Sequence, residues 1–99
     1  MNAITAAITA VGGYVPDFVL SNKVLETMVN TNDEWITTRT GIKERRILKE
    51  EGKGTSFLAI KAAQDLIAKA NIDPLEIDMV IMATATPDTP VASTGVYVA

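Results

Sequence analysis

The chain predicts an α/β fold, and three observations carry that expectation. Ile4 to Val11 is an apolar run that stops at Gly12-Gly13, "FLAIKAAQDLIAKANI" keeps its apolar residues at helical spacing, and "MVIMATA" is apolar almost without interruption. A run apolar at successive positions suits a strand covered on both faces, as in a parallel sheet. A helix with a wide apolar stripe suits the layer that does the covering. Strand, helices and strand in that order read as α/β layers.

Each element has its own local reason. Ile4 to Val11 reads as a buried strand ending at a turn made by the glycine pair and Pro16. No basic residue precedes it, the first lysine being Lys23, so a signal peptide is the poorer reading. Ser21 or Asn22 caps a short helix, "KVLETMVN". Thr31, followed three residues later by Glu34, has the spacing of a capping box. The helix it opens runs to Arg39 or Thr40 and stops at Gly41, placed as its C′ residue. "IKERRIL" is an extended, partly exposed segment. "EEGKGTS" is a polar loop, with Thr55 or Ser56 capping the next helix. Along that helix Leu58, Ala62, Leu66 and Ala70 recur at four-residue spacing beside Ala59, Ala63 and Ile67, the face of a helix lying on a sheet. Asp73-Pro74 begins a short turn as N-cap and first helical residue. "MVIMATA" is the second buried strand. A loop with Pro87 and Pro90 then leads to Ser93 or Thr94, the cap of a new helix. The chain stops soon after that helix begins, which reads as truncation.

Composition narrows the function. Ninety-nine residues make one domain at most, and 47% hydrophobic with 21% charged residues is ordinary for a globular chain. A net charge of −3 does not recommend nucleic acid as a partner. Cysteine and histidine are both absent. That excludes a disulfide framework, a thiolate or imidazole metal site, and any Ser/His or Cys/His catalytic pair within the chain. No apolar run reaches membrane-spanning length, and the expected location is the cytoplasm. "GKGTS" fails as a phosphate loop, because Ile47 stands where the first glycine belongs and Gly54 follows Lys53. Asp73, Glu76 and Asp78 fit no calcium-loop spacing and read as a solvated helix start.

One constellation stands out. Thr31, Trp35 and Arg39 sit at i, i+4 and i+8, a single helical stripe if all three are in one helix. In one reading Trp35 fills an edge of the core and Arg39 packs over its ring, and the pattern alone favours this. In the other the indole stacks on a base, the guanidinium pairs with phosphate and the hydroxyl bonds nearby. Five of the nine basic residues (Arg39, Lys43, Arg45, Arg46 and Lys49) fall in eleven positions with one acid among them, Glu44. Such a run is usually a solvated face, but it is also able to steer an anionic ligand or an acidic partner.

"NTNDEWITTRTGIKERRI", with "GGYVPDFVLSNKVLETMV" before it and "IDMVIMATATPDTPVAST" after it, resembles the N-terminal portion of a β-ketoacyl-acyl-carrier-protein synthase III. The resemblance runs over residues 1–99 in family order. It implies the layered α/β/α/β/α fold of the thiolase-like superfamily, incomplete in this chain, with the sequence ending before the active-site cysteine. It also implies an acyltransferase that primes type II fatty-acid synthesis. An acyl group, typically acetyl, passes from coenzyme A to the cysteine and condenses with malonyl-acyl-carrier protein as carbon dioxide leaves. The family's histidine and asparagine lie beyond Ala99, so no catalytic residue is assigned here and the chain alone is expected to be inactive. No prosthetic group is implied, acyl-CoA being a substrate. The positions matching Trp35, Arg39 and Thr31 lie at the mouth of the coenzyme A tunnel, with Trp35 on the adenine and the other two toward the nucleotide and its phosphates. Val91 matches a position lining the partner subunit's acyl pocket in a homodimer, where a valine in place of an aromatic implies room for longer or branched primers. The stretch around Lys43 and Arg45 is a candidate contact for the acidic carrier protein. Two rivals remain: a synthase III-like enzyme of polyketide, alkene or quinolone assembly, and a non-catalytic interaction module.

Overall fold

The computed structural model describes residues 2–99. The chain divides into two compact units, Val15–Lys53 and Met1–Tyr14 with Gly54–Ala99. Helices and a short antiparallel ladder together make it a mixed α/β chain.

In the unit Val15–Lys53, strand β1 (Phe18–Ser21) runs directly into helix α1 (Asn22–Met28), followed by α2 (Asp33–Thr40) and strand β2 (Glu44–Ile47). Ser21 is the N-cap of α1, its hydroxyl accepting from the Val24 N–H at 3.3 Å. The expected capping box at Thr31 and Glu34 does not form. Asn32, one residue later, is the N-cap of α2, and its side-chain oxygen accepts from the Trp35 N–H at 2.7 Å. An asparagine caps as well as a threonine, and the Glu26 carboxylate of α1 takes the adjacent orphan N–H of Asp33 at 2.7 Å. The helix ends as expected at Gly41, whose φ of 71° is left-handed and whose N–H donates to the Thr37 carbonyl at 2.8 Å. Its acids Asp33 and Glu34 lie in the first turn and Arg39 in the last, the order the helix dipole favours.

"IKERRIL" is extended as expected, and its partner is a strand that its own four residues do not announce. β1 and β2 pair antiparallel with Phe18 opposite Ile47 and Leu20 opposite Arg45. Ile36, 9% exposed, is the buried apolar residue of this unit.

The second unit is organised by α3 (Thr55–Ala70), with a short 3-10 turn (Pro74–Glu76) and helix α4 (Thr94–Val98). Leu58, Ala59, Ala62, Ala63, Leu66 and Ile67 of the predicted face are half-buried, while Ala70 is exposed. Asp73 caps the 3-10 turn as expected, accepting from the Leu75 N–H at 3.0 Å. Neither Thr55 nor Ser56 is the N-cap of α3. Gly54 holds that position and has no side chain to offer. Asp88 supplies the cap from elsewhere in the chain, accepting from the Ser56 N–H at 2.8 Å and from the Ser56 hydroxyl. Thr55 donates to the Thr86 carbonyl at 2.5 Å, and the Asp88 N–H donates to Thr94 Oγ1 at 3.2 Å. The loop 86–94 is thereby tied to the start of α3. Ser93 precedes α4 at the cap position, without a side-chain cap bond.

Two expectations are corrected. Ile4 to Val11 and "MVIMATA" are in no ladder, and the described sheet has only the antiparallel pair β1–β2. A strand exists by its hydrogen-bonded neighbour, and among the described residues neither segment has one. Ile8 is 89% and Ile81 84% exposed, so the two-sided cover that such apolar runs require is not supplied by these 99 residues. The glycine pair likewise has a role other than a turn. A Cβ on Gly12 would lie 2.5 Å from the Leu66 nitrogen and 2.7 Å from the Ala62 carbonyl oxygen, so the backbone rides directly on α3. The next N–H, that of Gly13, donates to the Asp65 carboxylate at 3.0 Å.

This close approach separates the two glycines experimentally. Gly12→Ala is expected to destabilise the chain by about 1–3 kcal/mol through overpacking against helix backbone. Gly13→Ala, whose Cβ would meet nothing within 4 Å, is expected to stay within about 0.5 kcal/mol of the parent. Urea unfolding followed by far-ultraviolet circular dichroism measures both.

Candidate ligand site around Trp35

The site begins with a buried amide. Asn22 is 2% exposed and stands at the first position of α1. Its Nδ2 donates to Asp33 Oδ1 at 2.8 Å and to the Ile42 carbonyl at 2.7 Å, which uses both amide protons, and Thr37 Oγ1 lies 3.5 Å away. Its Oδ1 accepts from Arg45 Nη2 at 2.8 Å, and its backbone N–H donates to the Lys43 carbonyl at 3.1 Å. One side chain thus joins the start of α1, the first turn of α2, the turn after Gly41 and strand β2. Thr37 adds a 3.2 Å bond from its hydroxyl to the same Asp33 oxygen. The hydrogen bond from Asn22, then that from Thr37 and the charges of Lys43 and Lys23, hold the Asp33 carboxyl below its ordinary value of 3.8 despite some desolvation.

With α2 held on this side, Ile36 turns inward and Trp35 outward. Trp35 is 53% exposed, so it does not fill a core edge, and the reading the pattern alone favoured is corrected on that point. The packing of Arg39 over its ring does hold, with the guanidinium carbon 4.7 Å from the ring centroid. Thr31 precedes the N-cap and lies outside the helix, so the three residues are not one helical stripe. They converge on the indole all the same. A depression of about 300 Å³ lies against Trp35, Asn32, Glu34, Thr38 and Arg39. A second, of about 200 Å³, lies against Trp35, Asn30, Thr31 and Asn32. Charge belongs to the first, whereas the second presents only amides and a hydroxyl beside the indole.

The rest of the basic run is mostly engaged inside its own unit. Arg45 also donates to the Leu20 carbonyl at 3.2 Å, and Arg46 donates to the Pro16 carbonyl at 3.0 Å. Lys49 Nζ stands 3.8 Å from the Phe18 ring centroid, and Lys43 is 3.8 Å from Asp33. Arg45 is therefore a strut before it is a contact. Arg39, on the indole, is the cation set beside a cavity. Val91, in the other unit, is 98% exposed. Among the described residues no cluster of acids is arranged to hold a metal ion, and no helix is long and apolar enough to cross a membrane.

Sequence reasoning missed Asn22 as a hub, Asn32 as the cap, and Asn30, Glu34 and Thr38 as cavity walls. Asn32 carried a signal, since asparagine just before an acidic first turn is a strong N-cap. Asn22 carried none beyond its proximity to a helix start.

No protein-family model matches the chain. A curated relative, the β-ketoacyl-[acyl-carrier-protein] synthase III of Azobacteroides pseudotrichonymphae genomovar. CFP2, is 57% identical over 100 aligned residues, an alignment that covers all of this chain and 30% of the relative. The crystal structure of 3-oxoacyl-[acyl-carrier-protein] synthase III from Aquifex aeolicus VF5 superposes with a TM-score of 0.82 at 48% identity, over 90% of this chain and 28% of that one. The priming β-ketosynthase of the R1128 polyketide pathway superposes with a TM-score of 0.68 at 32% identity, over 90% of this chain and 26% of that one. The chain thus spans about 30% of the length of the curated relatives it matches. The fold is that of part of a thiolase-like condensing synthase. Within that class the chain belongs, as a segment, to the β-ketoacyl-[acyl-carrier-protein] synthase III family.

Two outcomes test the scaffold. Asn22→Ala takes a hydrogen-bond partner from both the Arg45 guanidinium and the Asp33 carboxylate, and is expected to cost about 2 kcal/mol in urea unfolding read by Trp35, the chain's one tryptophan. Asp33 has a folded value below its unfolded one, so its stabilisation is complete above 3.8 and is lost as pH falls through the folded value. The urea midpoint read at Trp35 is expected to fall as pH drops below 3.8, and Asp33→Asn is expected to flatten that decline.

Proposed function

We propose that this chain is part of a condensing acyltransferase that primes type II fatty-acid synthesis, joining an acyl group from acyl-CoA, typically acetyl, to malonyl-acyl-carrier protein with loss of carbon dioxide. The observation that carries the reading is the half-exposed Trp35 with Arg39 stacked on it, between two depressions, in a chain with these relatives.

On this reading the chain contributes binding, not bond-making. The indole stacks on the adenine of coenzyme A, Arg39 pairs with its phosphates and the Thr31 hydroxyl bonds to the nucleotide. Stacking uses the open π surface, and the guanidinium already at the ring needs little reordering to meet an anion. The chain has no cysteine or histidine, so the thiolate that takes the acyl group and the groups that assist decarboxylation belong to residues outside these 99. The chain by itself turns over no substrate. The complete enzyme is read as a cytoplasmic homodimer without a prosthetic group and with neither nucleic acid nor membrane as a partner, Val91 facing the partner subunit's acyl pocket.

A second reading has a specific observation behind it. The superposition on a priming β-ketosynthase of a polyketide pathway supports the same priming step in another assembly line. The primer and the carrier protein that the enzyme accepts separate the two.

The test is kinetic, in a synthase of full family length carrying these 99 residues. Trp35→Ala is expected to raise KM for acetyl-CoA roughly tenfold with kcat unchanged, the mark of binding lost equally from ground and transition states. Arg39→Ala is expected to act in the same direction, and Arg39→Lys to recover only part, because an ammonium lacks the flat fork. Unchanged KM in both alanine variants overturns the assignment.

A further inference from the structure

The loop that carries Val91 has its own anchorage, and one side chain holds most of it. Val91 is 98% exposed, so neighbouring side chains do not fix it and its place follows from the backbone beneath. That backbone is short of freedom. Pro87 and Pro90 each lock their own φ and bias the residue before them toward an extended conformation. The Thr89 hydroxyl donates to the Ala92 carbonyl at 3.3 Å, closing a small turn with Pro90 and Val91 at its tip. A stiff turn moves as a piece, so the point where its foot is pinned decides where Val91 stands.

Asp88 is that foot. Its carboxylate grips the first turn of α3, one oxygen accepting from the Ser56 N–H at 2.8 Å and the other from the Ser56 hydroxyl. Its own N–H donates at 3.2 Å to Oγ1 of Thr94, which is 3% exposed, so the same residue ties the start of the turn to its end. Thr55 adds one bond, to the Thr86 carbonyl. The Ser56 hydroxyl, then the Ser56 N–H, holds the Asp88 carboxyl below the usual carboxylate range despite some desolvation. The grip is therefore that of an anion, stronger than a neutral acceptor would give. Gly54 completes the fit. A Cβ there would lie 3.2 Å from Asp88 Oδ1, tighter than ordinary contact, so the missing side chain leaves the carboxylate its seat.

We propose that Asp88 is a positioning residue for primer selection: by fastening the turn 88–94 to α3 it fixes Val91, and with it the width of the acyl pocket that Val91 borders. The proposal rests on the reading of Val91 given above and adds the residue through which the chain sets that position. Asp88 touches no substrate and acts through Val91.

The test is a double-mutant cycle in a synthase of full family length carrying these 99 residues, read as the ratio of kcat/KM for isobutyryl-CoA to that for acetyl-CoA. In the parent, Val91→Phe fills the pocket and is expected to lower that ratio about tenfold. In an Asp88→Ala background residue 91 is no longer held, and the same substitution is expected to shift the ratio less than about threefold. Ser56→Ala removes the hydroxyl half of the grip and keeps the N–H bond, and is expected to shrink the tenfold shift at least about twofold. Retention of the full shift in the Asp88→Ala background overturns the role of Asp88 and leaves the reading of Val91 standing. Where Asp88→Ala does not fold, retention in the Ser56→Ala background does the same. A uniform fall for both primers with the shift retained is the mark of a merely structural residue and also overturns the proposal. No shift on Val91→Phe in the parent overturns the reading of Val91 and the proposal with it.

Discussion

The unit that carries the site depends on one buried amide. Asn22 has four polar partners drawn from α2, the turn after it and β2, and it is almost wholly removed from water. A buried amide is costly unless every donor and acceptor is met, and here both protons and the oxygen are. The unit buries little of its apolar surface, Ile36 being its buried apolar residue, so a polar hub supplies what a hydrophobic core of this size cannot. The hub has direction as well as energy. Its bonds leave at set angles toward Asp33 and Ile42, and these define which side of α2 faces inward.

That constraint explains why the indole is available. Trp35 follows Asp33 by two positions and precedes Thr37 by two, so a helix that turns Asp33 and Thr37 toward Asn22 turns Trp35 away from it. The inward-facing Ile36 settles the remaining freedom. Arg39, four residues on, then falls over the same ring. The basic run divides by the same logic. Arg45 and Arg46 are held by carbonyls and by the hub, and Lys49 lies on Phe18, whereas Arg39, among the described residues, is held by the aromatic face it shares with a cavity. A cluster that looks uniform in sequence is mostly scaffold, with Arg39 the member beside the candidate site.

How much of this the sequence discloses follows the range of each interaction. Gly41 as the stop of α2, Asp73-Pro74 as a turn and the apolar stripe of α3 are legible because their causes lie within a few residues. Asn32 displaces Thr31 as the cap because two capping residues stand side by side, and spacing to Glu34 favours the wrong one. The cap of α3 is illegible for another reason: Asp88 lies 32 residues from the Ser56 it serves, and no local pattern points across that gap. Strand β1 is known only through its partner. The segments Ile4 to Val11 and "MVIMATA" show the converse, apolar enough for strands and yet without a ladder, because pairing is a property of two segments. At the site, the Trp35–Arg39 contact is legible from helical spacing. The exposure of the indole is not, since it is set by Asn22, thirteen residues earlier and on another element.

The locality of that arrangement bears on the division of labour in the proposed enzyme. Thr31, Asn32, Trp35 and Arg39 are held by contacts that close within Val15–Lys53. The walls of the proposed nucleotide site therefore need little from the rest of a synthase to take shape. Acyl transfer makes the opposite demand, a thiolate with donors around it, and the chain supplies neither cysteine nor histidine for it. A handle that grips the nucleotide far from the reacting thioester adds the same binding energy to ground state and transition state. Such energy lowers KM without altering the chemical step, so it can be built from a separate, self-contained set of residues without disturbing the geometry of the reaction centre. On this reading the indole and its stacked guanidinium are free to differ between relatives as the handle changes, while the chemistry stays with residues elsewhere.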